Sequence, residues 1–68
     1  MDRKLEPLMT PKQVAETLGM KLAWTYGAIA SGFIPGVLIS TGRRRRSIRV
    51  RPTDLERWMK NREIRQPA

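Results

Sequence analysis

The sequence contains no cysteine and no histidine. A chain without cysteine can form neither a disulfide framework nor a thiolate metal site. A chain without histidine also lacks the commonest metal ligand and the commonest general base. We therefore expect a protein that is not an enzyme and that holds no metal ion or other cofactor.

Long apolar runs are missing as well. No stretch approaches the roughly 20 apolar residues that a membrane-spanning helix needs. The first seven residues also lack the apolar segment of a secretory signal peptide. These absences predict a soluble, intracellular protein without a membrane partner, and the length of 68 residues predicts a single domain.

Carboxylates are absent from the middle of the chain. The formal net charge is +8, yet residues 17–53 contain no aspartate or glutamate, only Lys21 and six arginines, four of them consecutive. A strong and concentrated positive charge indicates a polyanionic partner such as nucleic acid. We expect the positive field to be centred on this acid-free segment.

The sequence around Thr10 predicts a helix start. Threonine is a favourable cap, Pro11 fits the first helical position, and Gln13 can close a capping box. The apolar residues that follow recur at helical spacing, and Gly19 suits the left-handed position after a helix. The first helix is therefore predicted over residues 11–18.

A second helix is predicted over residues 21–30, after only the turn Gly19-Met20. Ser31-Gly32 marks its end. Two short helices around a glycine-containing turn are typical of a helix-turn-helix.

The strands of a hairpin come next. Pro35-Gly36 interrupts the helical pattern, and Val37-Leu38-Ile39 has the composition of a strand. In residues 47–51 the apolar Ile48 and Val50 alternate with arginines. This alternation predicts a hairpin with one buried face and one basic face.

A third helix is predicted after Pro52. The run Thr53-Asp54-Leu55-Glu56 repeats the capping-box pattern, with two acids near the positive end of the helix dipole. Trp58 would pack this helix on the core. The fold class is therefore α+β, in the order helix, helix, strand, strand, helix.

Four segments carry a family resemblance. They are LMTPKQVAETLG at residues 8–19, SGFIP at 31–35, the arginine-rich hairpin at 42–51, and DLERW at 54–58. In this order and at these spacings, they resemble the excisionase-like branch of the MerR-type winged helix-turn-helix proteins.

The resemblance implies an excisionase, or recombination directionality factor, of a bacteriophage or mobile element. Such proteins bind double-stranded DNA near attachment sites, often as several cooperating copies, bend it, and assist an integrase or other recombinase in excision. The resemblance also implies the cytoplasm of a bacterial host, and association with the nucleoid when bound. Along the chain we expect a flexible arm at residues 1–7, a winged helix-turn-helix domain at 8–63 and a flexible tail at 64–68.

The predicted second helix departs from that family. Gly27 stands where the family frequently has an arginine, so this helix cannot make the bidentate arginine contact to guanine that is commonest in the major groove. We expect specificity to come from DNA shape, thymine-methyl contacts and side-by-side binding of several copies. A single site should therefore be bound weakly.

Two buried registers fit the helix pair. The helix-turn-helix pattern buries Val14, Ala15, Leu18, Met20, Thr25 and Ala28. Simple helical periodicity instead buries Leu22, Tyr26, Ile29 and Phe33. We prefer the first, with Ile29 added, because the turn fixes the angle between the helices. The residues then facing the DNA groove are Lys21, Leu22, Ala23, Tyr26 and Gly27.

The candidate DNA contacts come from three elements. A helix N-terminus suits a phosphate, the second helix would enter the major groove, and planar, permanently charged guanidinium groups suit phosphates and minor grooves. The predicted contact residues are Thr10, Lys12, Gln13, Lys21, Ala23, Trp24, Tyr26, Arg43, Arg44, Arg45, Arg46 and Arg49.

Several of these residues have a plain structural alternative. Residues 43–46 can be a merely solubilising loop, and Lys21 an ordinary surface lysine. Tyr26 is as often a core residue as a contact. Trp24 would contact a phosphate or wedge into a base step, but packing against the wing or a neighbouring copy is favoured because exposed tryptophans mark interfaces.

Two other functions fit the same features. A small phage or prophage transcription regulator would use the same DNA-binding surface. A protein-interaction module would instead contact a recombinase through the apolar second helix. An RNA-binding role is disfavoured because the hairpin lacks an aromatic platform for stacking bases.

Overall fold

A computed structural model describes residues 5–41 and 46–64, with the backbone alone at Thr41 and Arg46. The elements in chain order are α1 (Pro11–Leu18), α2 (Leu22–Ala30), β1 (Val37–Thr41), β2 (Arg46–Arg49) and α3 (Pro52–Lys60). This order confirms the α+β prediction and corresponds to a small winged helix-turn-helix.

Helix α1 has the predicted bounds because both of its ends are closed by local hydrogen bonds. Gln13 N donates to Thr10 Oγ1 at 3.1 Å, and Thr10 N donates to Gln13 Oε1 at 2.9 Å. Gly19 adopts φ 70°, a left-handed conformation that glycine reaches without steric cost. The amide of Met20 then returns to the carbonyl of Ala15 at 3.0 Å, which completes the turn into α2.

The preferred buried register of the helix pair is confirmed with one exception. Val14, Ala15, Thr25, Ala28 and Ile29 are buried, and Leu18 is partly buried. The exception is Met20, which was expected in the core but is 43% exposed. Its amide closes the turn while its side chain stays at the surface.

The hairpin pairs β1 and β2 in antiparallel register, from Val37 opposite Arg49 to Thr41 opposite Arg46. The register shifts between Leu38 and Ser40, so the hairpin contains a β-bulge. The predicted alternation is confirmed because the side chains of Ile48 and Val50 are buried. A backbone bridge from Met9 to Val50 extends this small sheet by one pairing.

Helix α3 starts at Pro52, two residues earlier than a cap at Thr53 would allow, so the predicted capping box is wrong. Pro52 occupies the first turn, as its fixed φ favours, and the cap is Arg51, which makes no side-chain capping bond. Thr53 therefore lies inside the helix. Its amide donates to Glu6 Oε1 at 3.2 Å and its hydroxyl donates to Glu6 Oε2 at 2.8 Å.

One apolar core joins the helices to the inner face of the hairpin. Its buried members are Val14, Ala28, Ile29, Ile34, Ile48, Val50 and Leu55. Trp58 packs against this core, as predicted, but it is only partly buried. Its indole Nε1 is buried and has no hydrogen-bond partner within the described ranges.

Candidate nucleic-acid interface

An open groove of about 770 Å³ lies where the start of α1, the exposed side of α2 and strand β2 meet. The groove is lined by Thr10, Pro11, Lys12, Leu22, Ala23, Tyr26, Ser47, Ile48 and Arg49. Five of the predicted DNA contacts, one or two from each element, therefore lie together. They are Thr10, Lys12, Ala23, Tyr26 and Arg49.

The α1 side of the groove carries one exposed cation. Thr10 and Gln13 each bond the other's backbone in the capping box, which fixes the start of the helix. Lys12 lies between them and is exposed. Gln13 is also exposed but does not line the groove.

The α2 side of the groove is apolar. Leu22 is 51% exposed, Ala23 is exposed and Tyr26 is partly buried. The hydroxyl of Thr25 is turned away, because Thr25 is fully buried and its Oγ1 donates to the carbonyl of Lys21 at 3.0 Å. No residue of α2 is charged, so the charge at the groove comes from α1 and the hairpin.

Strand β2 supplies the second cation of the groove. Arg49 is half-buried, and its Nη1 donates to the carbonyl of Ile48 at 2.8 Å. This bond holds the guanidinium against its own strand, where it faces the groove. Ser47 lies two residues before Arg49 on the same strand and also lines the groove. It was not among the predicted contacts, although its polar position in the alternating strand pattern indicated the same face as Arg49.

The structure describes only part of the arginine run at residues 43–46. Arg43, Arg44 and Arg45 lie outside the described residues, and only the backbone of Arg46 is described. Arg46 begins β2 and Arg49 ends it, so the run of arginines is attached to the strand that lines the groove. Their predicted role in DNA contact remains a prediction.

Lys21 and Trp24 lie outside the groove lining. Lys21 is exposed and has extended backbone geometry at the N-cap of α2. The helix was predicted to start at this residue but starts one residue later, at Leu22. Trp24 is exposed on another side of α2, where its ring meets the edge of Phe33 at 6.4 Å between centroids. The ring contact of Trp24 is therefore with Phe33, in the loop before β1, and packing against the wing or a neighbouring copy stays a prediction.

Phe33 is the centre of an aromatic cluster that the sequence patterns did not predict. Its ring is T-shaped to Trp58 at 5.6 Å. The guanidinium of Arg62 lies 4.5 Å from the Phe33 centroid and 4.9 Å from that of Trp58. These contacts link α2 to α3 across the loop before β1, away from the groove.

The cations of the groove are not neutralised by described carboxylates. Across residues 5–41 and 46–64, the sole ion pair joins Arg51 and Asp54 at 3.5 Å. Lys12 and Arg49 therefore keep their charge available for an anionic partner. No helix in the described part of the chain is long and apolar enough to cross a membrane.

Gly27 on the exposed side of α2 provides a test of the local geometry. Apart from its chain neighbours and the backbone of its own helix, a Cβ at this position would meet no atom within 4 Å. We expect Gly27→Ala to raise the free energy of unfolding by about 0.5–1 kcal/mol, because glycine is the weaker helix former. Thermal unfolding followed by circular dichroism would show a rise of roughly 2–8 °C.

The matched control for this prediction is Gly19→Ala. That position has open space as well but a φ of 70°, so alanine there should lower the melting temperature. A lower melting temperature for Gly27→Ala would contradict the helical geometry assigned to this position.

A family model described as a helix-turn-helix domain matches residues 8–63, which is most of the chain and includes every element above. Comparisons with curated proteins and with solved structures gave no match.

Proposed function

Because this chain belongs to the helix-turn-helix domain family, we propose that it is a DNA-binding accessory protein of the excisionase type and not an enzyme. The observation that carries the proposal is the groove in which Lys12 and Arg49 flank the apolar side of α2. The long arginine run is joined to the same strand. A helix-turn-helix with cations on both sides of its second helix is suited to duplex DNA.

The proposed docking uses all three parts of the surface. Helix α2 enters the major groove, and Lys12 at the start of α1 contacts the phosphate backbone beside it. The arginines of residues 43–46 reach the flanking minor groove or its phosphates. Most of the affinity is then electrostatic and independent of sequence.

The excisionase assignment is the finer part of the proposal. It is supported by the resemblance of residues 8–19, 31–35, 42–51 and 54–58 to the excisionase-like branch of the MerR-type proteins, and by a family that includes excisionase-like DNA-binding proteins. In this role, several copies bind side by side near an attachment site and bend the DNA. An integrase of the same element is the proposed protein partner.

The assignment can be tested with DNA that flanks the attachment site of the element encoding the protein. We expect weak binding of one copy, a ladder of slower complexes as the protein concentration rises, and a further shift when the integrase is added. In a reconstituted reaction, the protein should stimulate excision and not integration. Gel shifts and quantification of the excised circle measure these effects.

Two outcomes would separate the alternatives. A transcription regulator would bind a promoter region and leave excision unchanged. A protein-interaction module would stimulate excision equally well after residues 43–46 are changed to alanine. Either result would overturn the excisionase proposal in its DNA-binding form.

A further inference from the structure

The exposed side of α2 lacks the groups that usually recognise bases by hydrogen bonds. We propose, as an extension that rests on the DNA-binding function above, that this surface selects thymine through its C5-methyl group. Leu22 and Ala23 are the residues that make the contact. Lys12 and Arg49 supply affinity from the rim of the same groove without selecting a base.

The polar groups of α2 are few and mostly occupied. The helix LAWTYGAIA contains no arginine, lysine, asparagine or glutamine, which are the side chains that form bidentate contacts to guanine or adenine. The hydroxyl of Thr25 is buried and bonded within the helix. Trp24 lies against Phe33 and outside the groove. A bidentate contact to a base edge is therefore beyond this helix.

The apolar groups of the same surface are exposed. Leu22 is 51% accessible to solvent and lies beside Ala23, with Pro11 and Ile48 completing the apolar part of the groove. The thymine methyl is the apolar group that base pairs present in the major groove. Burying it against Leu22 removes apolar surface from water on both partners.

The expected size of the effect follows from the burial of one methyl group. Burial of one such carbon corresponds to about a fourfold change in affinity. Two thymine methyls against Leu22 and Ala23 would therefore change affinity by roughly 15-fold. The charges of Lys12 and Arg49 are unaffected by the methyl, so the dependence of binding on salt should stay the same.

The experiment uses a duplex enriched for tight binding from a random pool, resynthesised with deoxyuridine at each thymidine in turn. Deoxyuridine keeps the base pair and removes only the methyl group. We expect about fourfold weaker binding at one or two positions, no effect at the others, and an unchanged salt slope. Fluorescence anisotropy at several salt concentrations measures both quantities.

Two leucine variants identify the protein side of the contact. Leu22→Ala should lose most of the difference between thymidine and deoxyuridine at the position that Leu22 contacts, and a difference at a second position, against Ala23, should remain. Leu38→Ala is the matched control, because Leu38 is 54% exposed but lies on β1 and does not line the groove. It should retain the full difference.

The possible failures are distinguishable. Salt-dependent binding with equal affinity for the thymidine duplex and for every deoxyuridine version of it would overturn thymine selection and leave DNA binding intact. A deoxyuridine effect that persists at every position in Leu22→Ala would assign the effect to DNA shape and also overturn the contact. Absence of binding to every duplex would overturn the proposed function itself.

Discussion

Alanine at Arg43, Arg44, Arg45 and Arg46 together is expected to lower the affinity for every DNA duplex by about a thousandfold at 0.15 M salt. Each phosphate contact releases about 0.9 counterions, and four contacts at that salt concentration correspond to roughly three orders of magnitude. The loss should be similar for all sequences, because phosphate contacts position the protein and do not distinguish bases.

The dependence on salt gives a second measure of the same contacts. If the protein neutralises about five phosphates, the logarithm of its affinity should fall with the logarithm of salt at a slope of about −4.5. Removal of four arginines should reduce this slope to about −0.9. Fluorescence anisotropy titrations between 0.05 and 0.2 M salt, about the range over which such contacts dominate, measure both slopes.

A charge-matched control separates local contact from total charge. Arg44→Ala with Arg45→Ala removes the same charge as Arg57→Ala with Lys60→Ala, two exposed residues of α3 that do not line the groove. The first pair should weaken binding far more than the second. Equal losses would mean that only net charge matters, and they would remove the arginine run from the DNA interface.

Ile34→Ala is expected to have the largest effect on stability. Ile34 is fully buried between the end of α2 and the start of β1, and its amide donates to the carbonyl of Ala28 at 3.1 Å. Truncation of a buried isoleucine to alanine costs about 2–5 kcal/mol. A core of this size rarely supplies more than about 3–5 kcal/mol in total, so much of the protein should be unfolded at 37 °C.

Urea unfolding followed by circular dichroism measures this loss, and Ile64→Ala is its control. Ile64 is 91% exposed, so its truncation should change the free energy of unfolding by less than about 0.5 kcal/mol. A loss below about 1 kcal/mol for Ile34→Ala would contradict the packing of this residue. At low temperature, the affinity of the folded Ile34→Ala protein for DNA should equal that of the unaltered protein, after correction for the fraction that is folded.

The sequence predicted best those features that local chemistry determines. Thr10, Gln13 and Gly19 define the bounds of α1 through bonds within a few residues. The alternation around Ile48 and Val50 identified the inner face of the hairpin for the same reason. Each of these patterns involves residues that are close in the chain.

Features that depend on distant residues were missed. The start of α3 was placed too late because the sequence alone does not show that Thr53 bonds Glu6, 47 positions earlier. The exposure of Met20 and the clustering of Trp24 with Phe33 depend on how the helices cross. The same is true of the site, where the groove includes Ser47 and excludes Gln13.

The links from Met9 to Val50 and from Glu6 to Thr53 also have a consequence for how the protein acquires its structure. Helices α1 and α2 contact through residues close in sequence, so their association closes only a short loop. The two links close a much longer loop, which is entropically costly and slows folding. A nascent chain that ends before residue 50 lacks the core residues Val50 and Leu55, and helices as short as α1 and α2 are marginal without tertiary packing. We therefore expect such a chain to hold no stable helix pair, and the finished domain to appear only after Thr53 has emerged.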